Sequence, residues 1–63
     1  MHEKILTEIE AAQYLRRHVV TLRKWRRSGD KNLTYLKIGG RYFYRRDDLD
    51  AFLNGCVVRT GAA

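Results

Sequence analysis

Between Arg16 and Arg27 the chain reads RRHVVTLRKWRR. These twelve residues hold six Lys and Arg, no acid, one tryptophan and several aliphatics. A basic tail has no use for Val19, Val20, Leu22 and Trp25, and a core helix has no use for the arginines. At about 100° per residue the two demands separate. Leu22 and Trp25 share one face; Val20, Arg23, Lys24 and Arg27 share the opposite one, with Arg26 at the edge between them. The spacing predicts an amphipathic helix with one stripe packed inward and three positive charges outward. Ser28-Gly29-Asp30 breaks it, with Gly29 as the C-cap.

The charge is concentrated in that stretch. The 63 residues carry 13 Lys and Arg against seven Asp and Glu, a net charge of +6, and the pI is about 10.0. All seven acids lie outside the basic helix. Clustered positive charge of this kind points to a polyanion, most often nucleic acid. A chain this short is one domain, and it buries only about 60% of the surface it would expose unfolded. Its single cysteine, Cys56, cannot form an internal disulfide, which suits a reducing cytoplasm. No apolar run approaches the roughly 20 residues needed to span a membrane, and no signal-peptide pattern opens the chain.

Residues 1–5 read as a short frayed leader. In LTEIEAAQYL, Thr7 with Glu10 three residues on fits a capping box, and Leu6, Ala11, Ala12 and Leu15 form an apolar side. This predicts a first helix from Glu8 to Arg16. The connection from Arg16 to His18 is short, and two helices joined so closely must cross and pack, as in a helix-turn-helix. After a polar loop at 30–32, Gly39-Gly40 between two strand-like runs signals a hairpin. A two-residue turn sets Ile38 opposite Arg41 and Leu36 opposite Phe43. Leu36, Ile38 and Phe43 are then expected on the core face, with Tyr35, Lys37, Tyr42 and Tyr44 outward. In RRDDLDAFLNG, Asp47 or Asp48 is expected to cap a last helix whose stripe is Leu49, Phe52 and Leu53, closed by Asn54-Gly55. Trp25 and Phe43 are expected in the core. Residues 1–55 are expected to form one domain and 56–63 a flexible tail.

Taken in order, Leu6-Thr7, Glu10-Ala11-Ala12, Leu15, Thr21-Leu22-Arg23-Lys24-Trp25, Ser28-Gly29, Gly39-Gly40-Arg41, Arg46 and Asp48-Leu49 resemble the excisionase-type, MerR-like winged-helix DNA-binding domains. The resemblance covers Leu6 to Leu53. It implies an α+β fold: a small winged helix-turn-helix with a two-stranded hairpin wing and a C-terminal helix. It also implies a second helix in the major groove of double-stranded DNA and a wing on the adjacent minor groove. Such proteins include phage excisionases, which direct an integrase, and AlpA-like transcriptional regulators of mobile elements. Where the family often has Gly, an aliphatic and Ser or Thr, this chain has Arg16, Arg17 and His18. Its turn is therefore more basic and lacks the usual cap. The proline common after Ser-Gly is absent, and the loop to the wing is longer. MerR regulators proper continue into a dimerisation helix and an effector domain, and neither is expected in the sequence to Ala63. The expected setting is the cytoplasm of a bacterial host, on the nucleoid.

Carried onto this sequence, the groove-facing residues are Val20, Arg23, Lys24 and Arg27, with Arg41 on the wing. Arginine can bond bidentately to guanine O6 and N7, which suits Arg23 and Arg27; Lys24 suits a base or a phosphate, and Val20 a thymine methyl. Arg16, Arg17, Thr21 and Lys37 suit phosphates, which set register without reading sequence. Arg41 beside Gly40 suits a narrow minor groove. Tyr42 suits a phosphate or simply covers the sheet. Arg26 suits the negative end of its own helix, and Arg45 and Arg46 can offset Asp47 and Asp48. A domain this small is expected to bind adjacent DNA repeats in several self-associating copies. An excision factor and a promoter-binding regulator would use the same surface. An RNA reader would stack bases on Tyr42 and Tyr44. No nucleophile–base pair or phosphate loop appears, so no enzyme is expected. His2, His18 and Cys56 fit no zinc spacing, so no metal or other cofactor is expected.

Overall fold

The computed structural model describes residues 4–29 and 31–58. In chain order the elements are β1 (Ile5–Thr7), α1 (Glu8–Tyr14), α2 (Val19–Ser28), β2 (Leu36–Ile38), β3 (Arg41–Arg45) and α3 (Arg46–Gly55). The strands form one antiparallel sheet in the order β1-β3-β2. This is an α+β winged helix-turn-helix whose wing hairpin gains a third strand. The leader expectation therefore fails at its described end. Residues 1–3 lie outside the described residues, but Ile5 pairs with Arg45 and Leu6 with Tyr44. The Arg46 amide adds a bond to the Lys4 carbonyl at 3.0 Å.

The helix ends follow local chemistry. The Thr7 amide donates to Glu10 Oε1 at 2.9 Å and the Glu10 amide to Thr7 Oγ1 at 3.1 Å, completing the expected capping box. Helix α1 ends at Tyr14, short of the expected Arg16, because Arg16 turns left-handed at φ 57°. The Arg16 amide bonds the Gln13 carbonyl and the Arg17 amide the Ala12 carbonyl, at 3.0 and 2.9 Å. That is a Schellman closure with arginine where glycine is usual. Helix α2 starts after His18, whose side chain makes no cap bond, and ends at Gly29 with φ 72°. Neither Asp47 nor Asp48 is the N-cap of α3. Arg45 holds that position, and both acids sit in the first turn, where the helix dipole favours them. Arg45 Nε also donates to Asp48 Oδ2 at 2.7 Å. Gly55 lies inside the last turn, and Cys56 closes the helix with its amide on the Leu53 carbonyl at 3.0 Å. Val57 and Val58 are exposed; the rest of the expected tail lies outside the described residues.

The core is Leu6, Ala11, Ala12, Leu22, Leu33, Tyr44 and Leu49, with Leu15, Val19, Trp25 and Phe52 packed against it. Leu22 and Leu49 are fully buried, each stabilising by about 1.5–3 kcal/mol relative to exposure. The Trp25 and Phe52 rings meet at 5.8 Å. The hairpin register is the expected one, Leu36 with Phe43 and Ile38 with Arg41. Gly39 and Gly40 both take positive φ, 56° and 81°, as a tight hairpin turn requires. The faces, however, are reversed. Tyr44 is 0% exposed while Ile38 is 53% exposed, and Leu36 and Phe43 are only half-buried. The cause is β1: it aligns Leu6 beside Tyr44 on the inner face, and a strand's side chains alternate. Once Tyr44 is inward, Phe43 must point to the outer face of the sheet.

Candidate nucleic-acid interface

Helix α2 divides as its periodicity demands. Leu22 is buried, with Val19 and Trp25 packed beside it. On the other side Val20, Arg23, Lys24 and Arg27 together line one surface depression. Val20 is 69% exposed, a large apolar side chain among three cations. A second depression at the start of the helix is lined by Arg16, Arg17, His18 and Thr21. The left-handed turn at Arg16 brings these side chains to one place. Arg17 Nε returns to the Arg16 carbonyl at 3.1 Å.

The remaining expected residues lie on the β2–β3 hairpin, outside both depressions. Gly40 and Arg41 are exposed at its turn and Lys37 on its edge strand. Tyr42 is half-buried, with the Arg26 guanidinium 3.6 Å from its ring centroid and Lys37 Nζ at 5.8 Å. Tyr35 meets Tyr42 edge-on at 5.8 Å. The hairpin is thus fastened to α2 through Arg26 and Tyr42. Tyr44 is buried, so it is not paired with Tyr42 on an outward face, as stacking of RNA bases on those two rings would require.

Glu8 is the hub of this joint. Its Oε2 accepts from Arg26 Nε at 2.7 Å and from the Tyr44 hydroxyl at 3.0 Å; its Oε1 accepts from Arg23 Nε at 3.3 Å. The Glu8 and Arg26 side chains are 11% and 12% exposed, and that of Arg23 is 45% exposed. Desolvation raises the Glu8 pKa. The bonds from Arg26 and Tyr44, the Arg26 charge and the bond from Arg23 outweigh it, and the net shift is downward. Arg26 is held more firmly protonated, chiefly by its bond to Glu8. Burial first, then the bond to Glu8 and its charge, push the Tyr44 phenol up.

A family model described as a helix-turn-helix domain matches residues 5–57. The chain belongs to the helix-turn-helix domain family. Membership makes it a DNA-binding helix-turn-helix protein, and the match runs through β1, both helices of the motif, the wing and α3. No match was found among curated proteins or among solved structures. Among the described residues of this helix-turn-helix domain no helix is long and apolar enough to cross a membrane. Among them, too, no group of three or more His, Cys, Asp or Glu side chains is placed to hold a metal.

Glu8 and Arg26 are the residues the sequence reading missed. The expectation for Arg26 is the edge between the two faces of α2, beside the negative end of that helix. Yet four residues from Leu22 is about 40° on the helical wheel, well inside the buried stripe. A cation there calls for an acid on the helix it packs against, and α1 supplies Glu8. In this helix-turn-helix domain Arg26 therefore joins α1, α2 and the wing, and the outward charge of α2 falls to Arg23, Lys24 and Arg27.

Proposed function

We propose that this protein reads double-stranded DNA with α2 in the major groove and the β2–β3 wing on the adjacent minor groove, and that it acts as an excision factor. In that role several copies bind attachment-site DNA side by side, bend it, and direct an integrase. The observation that carries the reading is the outward face of α2, where Val20, Arg23, Lys24 and Arg27 gather around one depression. Guanidinium groups there suit guanine O6 and N7, and Val20 suits a thymine methyl. Arg16, Arg17 and Thr21 flank the uncapped start of α2. Its unpaired amides and their positive dipole end favour a phosphate. Lys37 suits a second phosphate. Arg41, beside a glycine turn open enough for close backbone approach, suits a narrow minor groove. Tyr42 ties the wing to the reading helix. A single module of this size buries only about 600–1,000 Å² on DNA, which favours several copies acting together. The excision role itself rests on the motif resemblance.

The test is a titration onto duplexes from the protein's own genetic neighbourhood, read by gel shift at two salt concentrations. Stepwise cooperative complexes on an attachment site, abolished by Arg23→Ala with Arg27→Ala, are the expected result. The same pattern on a promoter instead would make the protein a transcriptional regulator. Binding indifferent to sequence and to the double substitution would refute major-groove reading.

A further inference from the structure

We infer that Glu8 is a positioning residue for base readout: its carboxylate holds Arg23 by Nε and so presents the arginine's terminal nitrogens to a base edge. The inference rests on the reading of α2 as the groove helix. Glu8 is suited to this because its carboxylate is anchored from behind. One oxygen is pinned by Arg26 at 2.7 Å and Tyr44 at 3.0 Å. Its backbone begins α1 inside the capping box of Thr7 and Glu10. The second oxygen is left for Arg23, at the longer distance of 3.3 Å. A largely buried carboxylate with two fixed donors is a rigid acceptor at the rear of a half-exposed arginine.

The chemistry follows from the guanidinium fork. Arginine has five N–H donors, one on Nε and four on the terminal nitrogens. Committing Nε to Glu8 leaves the terminal pair for the two acceptors of guanine. It also fixes a side chain that would otherwise lose much rotamer freedom on binding. Beside a polyanion, an unrestrained arginine is drawn to phosphate, which carries no sequence information. The Glu8 charge offsets that pull and repels phosphate oxygens from the same place. Lys24 and Arg27, on the same face, are not held by Glu8 and keep their attraction for the backbone. Glu8 thereby sets Arg23 apart from the other two outward cations of α2 as the one arginine held in place for a base.

The test uses a duplex selected by the wild-type protein from a randomised library, and a panel of single-base-pair variants of it. Dissociation constants are measured by fluorescence anisotropy for wild type, Glu8→Gln, Arg23→Ala and the double variant. Arg23→Ala should erase discrimination at one G·C pair by about 5- to 150-fold, the range for one bidentate contact. Glu8→Gln should erase about 2- to 12-fold at that same pair, the range for releasing one ordered side chain. It should leave non-specific binding equal or tighter, and add nothing in the Arg23→Ala background. Glu8→Asp keeps the charge but draws back from Arg23, and should lose discrimination at that pair even if Glu8→Gln fails to fold. A uniform loss of affinity across the panel, present equally in the Arg23→Ala background, would make Glu8 merely structural and overturn the inference alone. Arg23→Ala leaving every base preference intact would overturn the groove reading, and the inference with it.

Discussion

Replacing Tyr44 with phenylalanine removes one hydroxyl from a fully buried side chain and changes nothing else in its shape. That hydroxyl donates to the Glu8 carboxylate at 3.0 Å. A hydrogen bond to a charged group contributes about 1.5–3 kcal/mol. Glu8 keeps Arg26 and Arg23, so no orphaned charge is created and the lower end applies, about 1.5 kcal/mol. A chain of this size has a total stability of roughly 3–9 kcal/mol, so the loss is large. The melting temperature should fall by about 6–12 °C, and the urea midpoint by about 1.5 M at a slope near 1 kcal/mol/M. Trp25, packed against Phe52, offers a fluorescence reading of unfolding, with circular dichroism alongside. Because the Glu8 pKa is lowered in the folded chain, its ionised form is what folding favours. That stabilisation is complete above the ordinary glutamate value of about 4.3 and is lost as pH falls through the lower folded value. The gap between wild type and Tyr44→Phe should therefore be full at pH 7 and narrow below pH 4. Equal midpoints at pH 7, or a gap unchanged through the acid range, would refute the account of Glu8 as an ionised hub.

Three further outcomes are expected. At alkaline pH the sign reverses: Tyr44 stays protonated in the folded chain while the unfolded chain ionises above about pH 10. Wild type should then lose stability as pH rises beyond that value, and Tyr44→Phe should lose less, as urea midpoints between pH 9 and 11 will report. Arg16→Gly relieves a left-handed arginine and should stabilise by about 0.5–1 kcal/mol in thermal melts. The same substitution should reduce the salt slope of DNA binding by about 0.9, the loss of one phosphate contact. Leu49→Ala opens a cavity at a side chain that is 0% exposed and should cost about 2–5 kcal/mol, enough to leave much of the chain unfolded at 37 °C by circular dichroism.

What could be read from the sequence was written in neighbouring residues. The capping box, the break at Gly29 and the hairpin register each depend on groups a few positions apart. Their signals are unambiguous because backbone geometry admits few alternatives. The face of the hairpin was not legible, because both faces are apolar. Leu36, Ile38 and Phe43 compete with Tyr35, Tyr42 and Tyr44, and on hydrophobicity alone the phenols lose. The choice is made by residues far away in sequence: Leu6 pairs with Tyr44 on β3, and Glu8 accepts the hydrogen bond of the Tyr44 hydroxyl. A three-residue strand such as β1 carries no period long enough to declare itself. Of the expected interface, the α2 face and the basic turn each meet around a single depression. Arg26 departs from expectation because it lies on the buried stripe, where Glu8 compensates its charge.

Strand β1 also governs the order in which the chain assembles. The glycine hairpin and the two helices of the motif close over short connections, and such pieces form in microseconds. Glu8 and Tyr44 are 36 positions apart, and closing so long a loop costs about 3 kcal/mol of chain entropy beyond a fixed term. With no proline in the sequence, no isomerisation step competes to be slowest. Docking Leu6 against Tyr44 is thus expected to come last in folding and first in unfolding, visible in stopped-flow kinetics as a Leu6 substitution that speeds unfolding and leaves the folding rate unchanged. Strand β1 would then act as the latch of the domain.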